Sequence, residues 1–168
     1  MEAVQERARK IRLLVLDVDG VLTDGRLHIG PSGEELKVFH VRDGAGLVAA
    51  QRAGIAVAII SGRSSVAVDR RATELGIRLV RQGATNKARE LESVATKLGV
   101  GRDEIACVGD DTPDLPMLRK AGLAIAVADA HADVIAAAHW VTTLHGGRGA
   151  VREVCDLLLR ARQPQANA

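Results

Sequence analysis

Two aspartates whose spacing could support chemistry, Asp17 and Asp19, directly follow the apolar run 11–16. Side chains two positions apart in an extended segment point to the same side. The two carboxylates could therefore share a cation, or one could act as a nucleophile while the other transfers protons. Taken alone, the pair is explained equally well as an acidic turn that ends a strand.

A second acidic cluster follows the apolar run 105–108 and contains Asp110, Asp111 and Asp114. Carboxylate oxygens suit a hard cation, and Mg²⁺ in particular keeps several waters and pairs with a substrate phosphate. Capping of a helix N-terminus explains one of these acids but does not readily explain all three. The cluster therefore favours a magnesium site.

A hydroxyl group and two cationic side chains follow other apolar runs. Ser61 and Arg63 follow the run 56–60, at the start of a predicted helix whose free N–H groups could bind a phosphate. Lys87 opens a later predicted helix, where a cation opposes the helix dipole unless an anion lies nearby. Individually, Ser61 is more typical of a cap or turn, and Lys87 of a solvated surface lysine.

The segments that must position these residues alternate between two patterns. Apolar runs rich in β-branched residues predict strands, and apolar residues three or four apart predict helices. The predicted strands are 11–16, 56–60, 79–80, 105–108, 123–127 and 140–141, and the predicted helices are 46–53, 64–75, 87–98, 115–121 and 132–138, with a final helix after a flexible turn at 146–149. This alternation predicts an α/β fold, a doubly wound and mostly parallel sheet with helices on both faces. Ligands bind at the carboxyl ends of the strands in such a sheet, which is where the acidic residues lie.

Residues 26–40 interrupt this alternation with two short extended runs, 27–29 and 36–40, around a Gly-Pro-Ser-Gly turn. They predict a β-hairpin that is too small to be a separate lid domain. We therefore expect the cover of the site to be small or to come from another subunit. The length predicts a single domain, 1–168, with a loose tail at about 163–168.

Charge and composition argue against several classes of function. The 23 basic and 21 acidic residues are mixed along the chain, so a nucleic acid is not an expected partner. Residues 1–12 are charged and contain no apolar stretch long enough for a signal peptide or a membrane span. We therefore expect a cytoplasmic protein with no membrane partner. The two cysteines, Cys107 and Cys155, lack metal-ligand spacing and are expected to be buried thiols.

Four motifs in a fixed order carry a resemblance to a known family. They are the segment 17–24 (DVDGVLTD), Ser61 after an apolar strand, Lys87, and the segment 109–114 (GDDTPD). Each motif is weak alone, but four in this order, each at a strand end, resemble the haloacid dehalogenase-type phosphatases. The match extends over most of the chain.

The resemblance implies an Mg²⁺-dependent phosphatase with an aspartyl-phosphate intermediate. By that resemblance, Asp17 is the nucleophile and Asp19 is the general acid and base. The metal would be held by Asp17, the main-chain carbonyl of Asp19 and Asp110. Ser61 and Lys87 would hold the phosphoryl oxygens. The acids that would orient the metal-bound waters and Lys87 are Asp111 and Asp114.

The lack of a cap between the first two motifs, together with the segments 33–37, 41–44 and 146–156, resembles the capless branch that acts on phosphorylated octulosonates. The resemblance implies a homotetramer in which hairpins of neighbouring subunits help to close each site. It also implies a small phosphorylated sugar acid, 3-deoxy-D-manno-octulosonate 8-phosphate, as the substrate, in lipopolysaccharide precursor synthesis. The additional substrate-binding candidates are His40, Arg42, Asp43, Gly44, Arg63 and Arg71. The planar fork of arginine suits a carboxylate, although a surface salt bridge is commoner for any single arginine.

Three alternatives to this interpretation stay open. Related phosphatases of nonulosonate 9-phosphates tend to carry an acid where this chain has Arg63. A non-catalytic, oligomer-forming relative is disfavoured because every carboxylate and Lys87 are present. A receiver-type phosphoacceptor domain would have no use for the second acidic cluster. Two departures from the family pattern, His40 in place of a usual Asn and the stretch 112–113 in place of one with Trp, leave the metal carboxylates untouched.

Overall fold

A computed structural model describes residues 1–163 and has a six-stranded central sheet. The strands in chain order are β1 (Leu13–Leu16), β2 (His28–Ile29), β3 (Glu35–Leu36), β4 (Ala56–Ile60), β5 (Leu79–Arg81), β6 (Ile105–Gly109), β7 (Leu123–Ala126) and β8 (Trp140–Val141). Six of them form one sheet in the order β5-β4-β1-β6-β7-β8, in which every neighbouring pair is parallel. The predicted sheet strands are confirmed, and their ends shift by two residues or fewer. The predicted tail 163–168 lies, beyond Gln163, outside the described residues.

Within residues 1–163, seven α-helices accompany this sheet. They are α1 (Glu2–Lys10), α2 (Val41–Arg52), α3 (Val66–Glu74), α4 (Lys87–Leu98), α5 (Leu115–Leu118), α6 (Ala132–Ala137) and α7 (Ala150–Ala161). Helices α1, α2, α3 and α7 contribute to the core on one face, and α4, α5 and α6 contribute to the core on the other. The predicted doubly wound α/β architecture is therefore confirmed. None of these helices, in the part of the chain that the structure describes, is long and apolar enough to cross a membrane.

The central strand β1 shows why its sequence is a run of aliphatic residues. Leu14 and Leu16 pack into the core on one face, whereas Leu13 and Val15 pack into the core on the other. All four side chains are fully buried because β1 lies between β4 and β6. Burial of each contributes roughly 1.5–3 kcal/mol. This strand leads directly into Asp17 at the centre of the sheet.

Helix α2 begins at Val41, so the predicted start at residue 46 was wrong. Two glycines in its first half obscure the helical pattern, since glycine costs a helix about 1 kcal/mol relative to alanine. A Cβ at Gly46 would lie 3.1 Å from the Cβ of Cys155 in α7, and a Cβ at Gly44 would lie 3.0 Å from Leu75. The glycines therefore let α2 approach its neighbours closely.

The predicted hairpin is present, but its second strand is shorter than expected. Strands β2 and β3 pair antiparallel, and the N–H of Gly30 donates to the carbonyl of Glu34 at 2.8 Å across the turn. The prediction of a strand over 36–40 was wrong beyond Leu36, because β2 offers only two residues for pairing and the chain then enters α2. A two-stranded sheet of this length is marginal by itself in water.

The order of the strands places a crevice at the carboxyl end of β1. After β1 the main sheet grows by β4 and β5 on one side, and then by β6, β7 and β8 on the other. At such a switch point the loops that follow adjacent strands diverge and leave room for a ligand. The residues that directly follow β1, β4 and β6 are Asp17, Ser61 and Asp110.

Candidate active site

An open cleft with a volume of about 220 Å³ lies at this switch point. It is lined by residues from the loops after β1, β4 and β6 and by the first residue of α4: Asp17, Asp19, Ser61, Gly62, Arg63, Lys87, Asp110, Asp111, Pro113 and Asp114. Eight of the predicted site residues are thus brought together from separate segments of the chain. Their proximity comes from the parallel sheet, which collects the ends of adjacent strands at one edge.

Lys87 joins the two acidic segments. Its ammonium Nζ lies 2.7 Å from Asp17 Oδ1 and 2.5 Å from Asp114 Oδ1, and all three side chains are buried. Burial alone would lower the pKa of Lys87, but the charges of the two carboxylates and their hydrogen bonds outweigh burial and raise that pKa. Lys87 is the first residue of α4, where a cation opposes the helix dipole, and the two aspartates offset this repulsion.

Asp114 fixes the loop that follows β6. While its Oδ1 accepts from Lys87, its Oδ2 accepts from the main-chain N–H groups of Asp110 at 3.0 Å and Asp111 at 3.3 Å. The exposed Asp111 accepts instead from the N–H of Thr112 at 2.7 Å and caps the 3₁₀ turn 112–114. Asp114 thus holds Lys87 and the Asp110 backbone in place, which supports its predicted orienting role.

The acidic cluster carries more negative charge than the ammonium group beside it neutralises. Asp17, Asp110 and Asp114 each offer a carboxylate oxygen within 4.8 Å of the others. Burial, followed by the neighbouring carboxylates, raises the pKa of Asp17 to about 6 and that of Asp110 to about 8. Within residues 1–163, the buried Asp110 Oδ1 has no hydrogen-bond partner. A hard divalent cation would supply positive charge and a partner for that oxygen, so this donor set fits Mg²⁺.

The Asp19 carboxylate contacts the hairpin. Its Oδ1 accepts from Lys37 Nζ, and its Oδ2 lies 3.6 Å from Arg63 Nε. Both cations also contact Glu35, since Lys37 Nζ lies 2.6 Å from Glu35 Oε1 and Arg63 Nη2 lies 2.6 Å from Glu35 Oε2. Sequence reasoning missed Lys37 and Glu35 as site residues, because neither follows a strand of the main sheet.

The glycine turn 146–149 packs against the loop that follows Asp17. The N–H of Gly147 donates to the carbonyl of Val21 at 2.9 Å, and a Cβ at Gly147, whose φ is 64°, would overlap the main chain of Thr23. A Cβ at Gly146 would overlap the carbonyl of Gly20. The turn therefore supports the Asp17 loop, a role that its position before the last helix did not reveal.

The remaining substrate-binding candidates lie away from the cleft within one chain. Four of them line a small, separate cavity of about 10 Å³: His40, Asp43, Gly44 and Arg71. Asp43 is buried, and its Oδ1 accepts the N–H of Arg152 at 2.7 Å, which caps the start of α7. Arg42 is exposed at the start of α2. Contact between these candidates and a substrate therefore stays a prediction. It would require a site to which more than one copy of the chain contributes.

Comparison with known proteins gives concordant results for the sequence and the fold. Residues 77–154 match the family model described as haloacid dehalogenase-like hydrolase. The Escherichia coli (strain K12) protein 3-deoxy-D-manno-octulosonate 8-phosphate phosphatase KdsC is 51% identical over 156 residues, which are 93% of this chain and 83% of that relative. The crystal structure of the phosphatase of that name from Yersinia pestis has a TM-score of 0.95 at 46% identity, and the match covers 96% of this chain and 87% of that one. A Moraxella catarrhalis phosphatase of that name, in complex with a magnesium ion, a phosphate ion and a KDO molecule, has a TM-score of 0.94 at 45% identity, with 96% and 93% covered.

Proposed function

The chain belongs to the 3-deoxy-D-manno-octulosonate 8-phosphate phosphatases, a family of haloacid dehalogenase-like hydrolases, and from this we propose that it hydrolyses that compound to the free sugar acid and phosphate. One observation carries the proposal: the Lys87 ammonium is held between Asp17 and Asp114 in the cleft beside Asp110. This arrangement supports the assignment of Asp17 as the nucleophile, Lys87 as the phosphate-binding cation and Asp110 as a magnesium ligand, because all three lie in one cleft. The reaction is a phosphate-monoester hydrolysis through an aspartyl-phosphate.

In the first half-reaction, a carboxylate oxygen of Asp17 attacks phosphorus and the bond between phosphorus and the sugar oxygen breaks. Lys87 and Ser61 meet the negative charge of the phosphoryl oxygens, which is the main requirement of phosphoryl transfer. The residues that would hold Mg²⁺ are Asp17, the main-chain carbonyl of Asp19 and Asp110. When bound there, the metal supplies positive charge to the same phosphoryl oxygens.

Asp19 moves the protons in both halves of the reaction. Its carboxyl group gives a proton to the leaving sugar oxygen, which would otherwise depart as a poor leaving group. In the second half-reaction, the Asp19 carboxylate takes a proton from the water that attacks the phosphorus of the aspartyl-phosphate. The bond between phosphorus and the Asp17 oxygen then breaks, and Asp17 is restored as a carboxylate.

The carboxylate of the sugar acid requires a cation beyond those that bind phosphate. Arg63 lines the cleft and has a half-exposed side chain, so its guanidinium is available to a substrate. Its Nη2 contacts the Glu35 carboxylate at 2.6 Å. We propose that the substrate carboxylate takes the place of Glu35 on Arg63, because the guanidinium fork binds either carboxylate in the same way.

We also propose a homotetramer whose hairpins help to close neighbouring sites. The hairpin exposes large apolar side chains, with Ile29 64%, Leu36 67% and Val38 64% exposed. A two-stranded sheet with such side chains gains stability when another surface covers it. Neighbouring copies would then supply the candidates that lie off the cleft and reach the surface, which are His40, Arg42 and Arg71, whereas the prediction that Asp43 and Gly44 contact substrate conflicts with their burial. A stable monomer in sedimentation at assay concentrations would contradict this arrangement.

We further propose that the reaction takes place in the cytoplasm, as a step in lipopolysaccharide precursor synthesis. The support is the family membership, since the substrate that its members are named for is a sugar acid of that polymer. The whole chain would act as one phosphatase domain, because the loops and the helix start that line the cleft all follow strands of a single central sheet.

Phosphate release tests the proposed function. The panel contains 3-deoxy-D-manno-octulosonate 8-phosphate, a nonulosonate 9-phosphate, hexose phosphates and p-nitrophenyl phosphate, each with Mg²⁺ and with chelator. We expect strong preference for the octulosonate and loss of turnover in chelator. Comparable rates across the panel would support phosphatase activity but contradict the proposed substrate. Preference for the nonulosonate would indicate that the chain acts on nonulosonate 9-phosphates instead. Inactivity on all of them would refute the enzymatic proposal.

A further inference from the structure

The side chain of Lys37 is buried although it comes from an exposed hairpin. It is 3% exposed, whereas its neighbours Leu36 and Val38 are 67% and 64% exposed. An ammonium group gives up favourable hydration when it is buried, so it needs close carboxylates. Lys37 has two, Asp19 and Glu35.

Four charged groups form a closed ring at this side of the cleft. Lys37 contacts Asp19 Oδ1 and Glu35 Oε1, and Arg63 lies 3.6 Å from Asp19 Oδ2 and 2.6 Å from Glu35 Oε2. Each cation therefore lies between two carboxylates, and each carboxylate lies between two cations. The charges of the ring sum to zero, so the ring can form before a substrate arrives.

The ring determines how the Asp19 carboxyl group is oriented. The terminal torsion of an aspartate has a broad energy minimum, so the plane of an unrestrained carboxyl group is poorly defined. Lys37 binds Oδ1 and leaves Oδ2 on the side of Arg63, which lines the cleft together with Asp19. When a substrate draws Arg63 away, Lys37 is the contact that still fixes the carboxyl group.

We propose that Lys37 is a positioning residue that orients the Asp19 carboxyl group toward the leaving oxygen of the substrate. This inference rests on the proposed function, because it assumes that Asp19 gives its proton to that oxygen. Lys37 itself neither attacks phosphorus nor transfers the proton. Through this contact the hairpin has a part in the chemistry of its own subunit, apart from any cover that it gives to a neighbouring site.

The choice of substrate separates positioning from a structural role. The sugar oxygen of an alkyl phosphate must be protonated as it leaves, whereas p-nitrophenolate leaves without a proton. In the first half-reaction, which kcat/KM reports, a misplaced proton donor therefore slows the first class of substrate and spares the second, whereas the water attack of the second half-reaction is common to both classes. A change that only loosens the fold or the phosphate site slows both classes together.

The experiment compares kcat/KM of full-length variants on 3-deoxy-D-manno-octulosonate 8-phosphate and on p-nitrophenyl phosphate, because kcat/KM includes no step after the leaving group departs. Lys37→Met removes the charge at similar length and should lower kcat/KM on the sugar phosphate about 10- to 100-fold, since a small misplacement of a catalytic group has effects of this order. Its kcat/KM on p-nitrophenyl phosphate should stay within about threefold of wild type. Lys37→Arg keeps a cation and should recover most of the loss.

Two further variants make the outcome decisive. Lys120→Met removes the same group from an exposed ion pair with Glu92, at 2.5 Å, and should leave both rates unchanged. Asp19→Asn should show the same selective loss of kcat/KM in a stronger form, and if it does not, the proposed acid role of Asp19 is wrong. If Asp19→Asn is selective but folded Lys37→Met lowers kcat/KM on both substrates equally, or on neither, the positioning role is refuted.

Discussion

Removal of Mg²⁺ should destabilise the protein, and the loss should grow as the pH rises. Without the metal, Asp17 and Asp110 have folded-state pKa values of about 6 and about 8, against 3.8 for an ordinary aspartate. Because both values are raised, the folded chain binds more protons than the unfolded chain, and stability falls as the pH rises from about 4 toward 8. Bound Mg²⁺ removes much of this dependence, since it favours the ionised carboxylates.

The size of the effect follows from the two raised pKa values. Between about pH 5.5 and about pH 7.5, the two raised pKa values together would lower the free energy of unfolding by about 3 kcal/mol in a site closed to solvent. The cleft is open to solvent and the carboxylates titrate together, so we expect roughly 1–2 kcal/mol. For a domain of this length, the Tm difference between the Mg²⁺-bound and the metal-free protein should therefore be roughly 2–8 °C larger at the higher pH than at the lower one.

The assay is thermal unfolding of the whole chain in Mg²⁺ and in chelator at both pH values. Asp110→Asn should flatten the pH dependence in chelator and lose most of the rise in Tm that Mg²⁺ causes. Asp111→Asn is the matched control, because Asp111 is the next residue but is exposed and caps a turn through Thr112. A Tm difference that is equal at both pH values, or larger at the lower one, would refute the reasoning.

Three other substitutions test separate parts of the site. Asp17→Asn should lower kcat at least about a thousandfold in a folded protein, because an amide is a poor nucleophile. Phosphate release at nearly the wild-type rate would show that Asp17 is not the nucleophile. Gly147→Ala should lower the free energy of unfolding by about 1–3 kcal/mol, since it adds a Cβ at positive φ against the main chain of Thr23; an unchanged urea midpoint would contradict this. Asp43→Ala should lower it by about 1–2 kcal/mol through loss of the cap at Arg152, and wild-type stability would show that the cap is unimportant.

The sheet and the centre of the site could be predicted because both depend on local patterns. A fully buried parallel strand requires a run of aliphatic residues, and each such run is visible in the sequence. The polar residue that follows each run then lies at a strand end, which is why Asp17, Ser61 and Asp110 could be assigned to one crevice. The order of the motifs added Lys87, whose position at the start of α4 is unfavourable without the acids beside it.

The contacts that depend on long-range packing could not be predicted in this way. Lys37 lies in a short hairpin, and nothing in its neighbours indicates that its ammonium contacts Asp19. Gly147 and Asp43 also contact segments that are distant in the sequence, namely the loop after Asp17 and the start of α7. The composition of a turn or a helix start favours such residues locally, but it does not specify which distant segment they contact.

The acidic side chains that the proposed reaction requires lower the stability of the fold. Buried carboxylates with one ammonium among them are not the arrangement that folding alone would select, since apolar residues often stabilise such positions better. Lys87 and Asp114 are nevertheless held by bonds that exist before any phosphate arrives, so the phosphate site needs little reorganisation when the substrate binds. These bonds leave Asp110 Oδ1 without a partner among residues 1–163, so the negative charge is met by protons at low pH and by a bound cation at higher pH. Once the carboxylates ionise, the metal-free chain is therefore less stable than the Mg²⁺-bound protein, and the charge that makes it so is the charge that binds the metal.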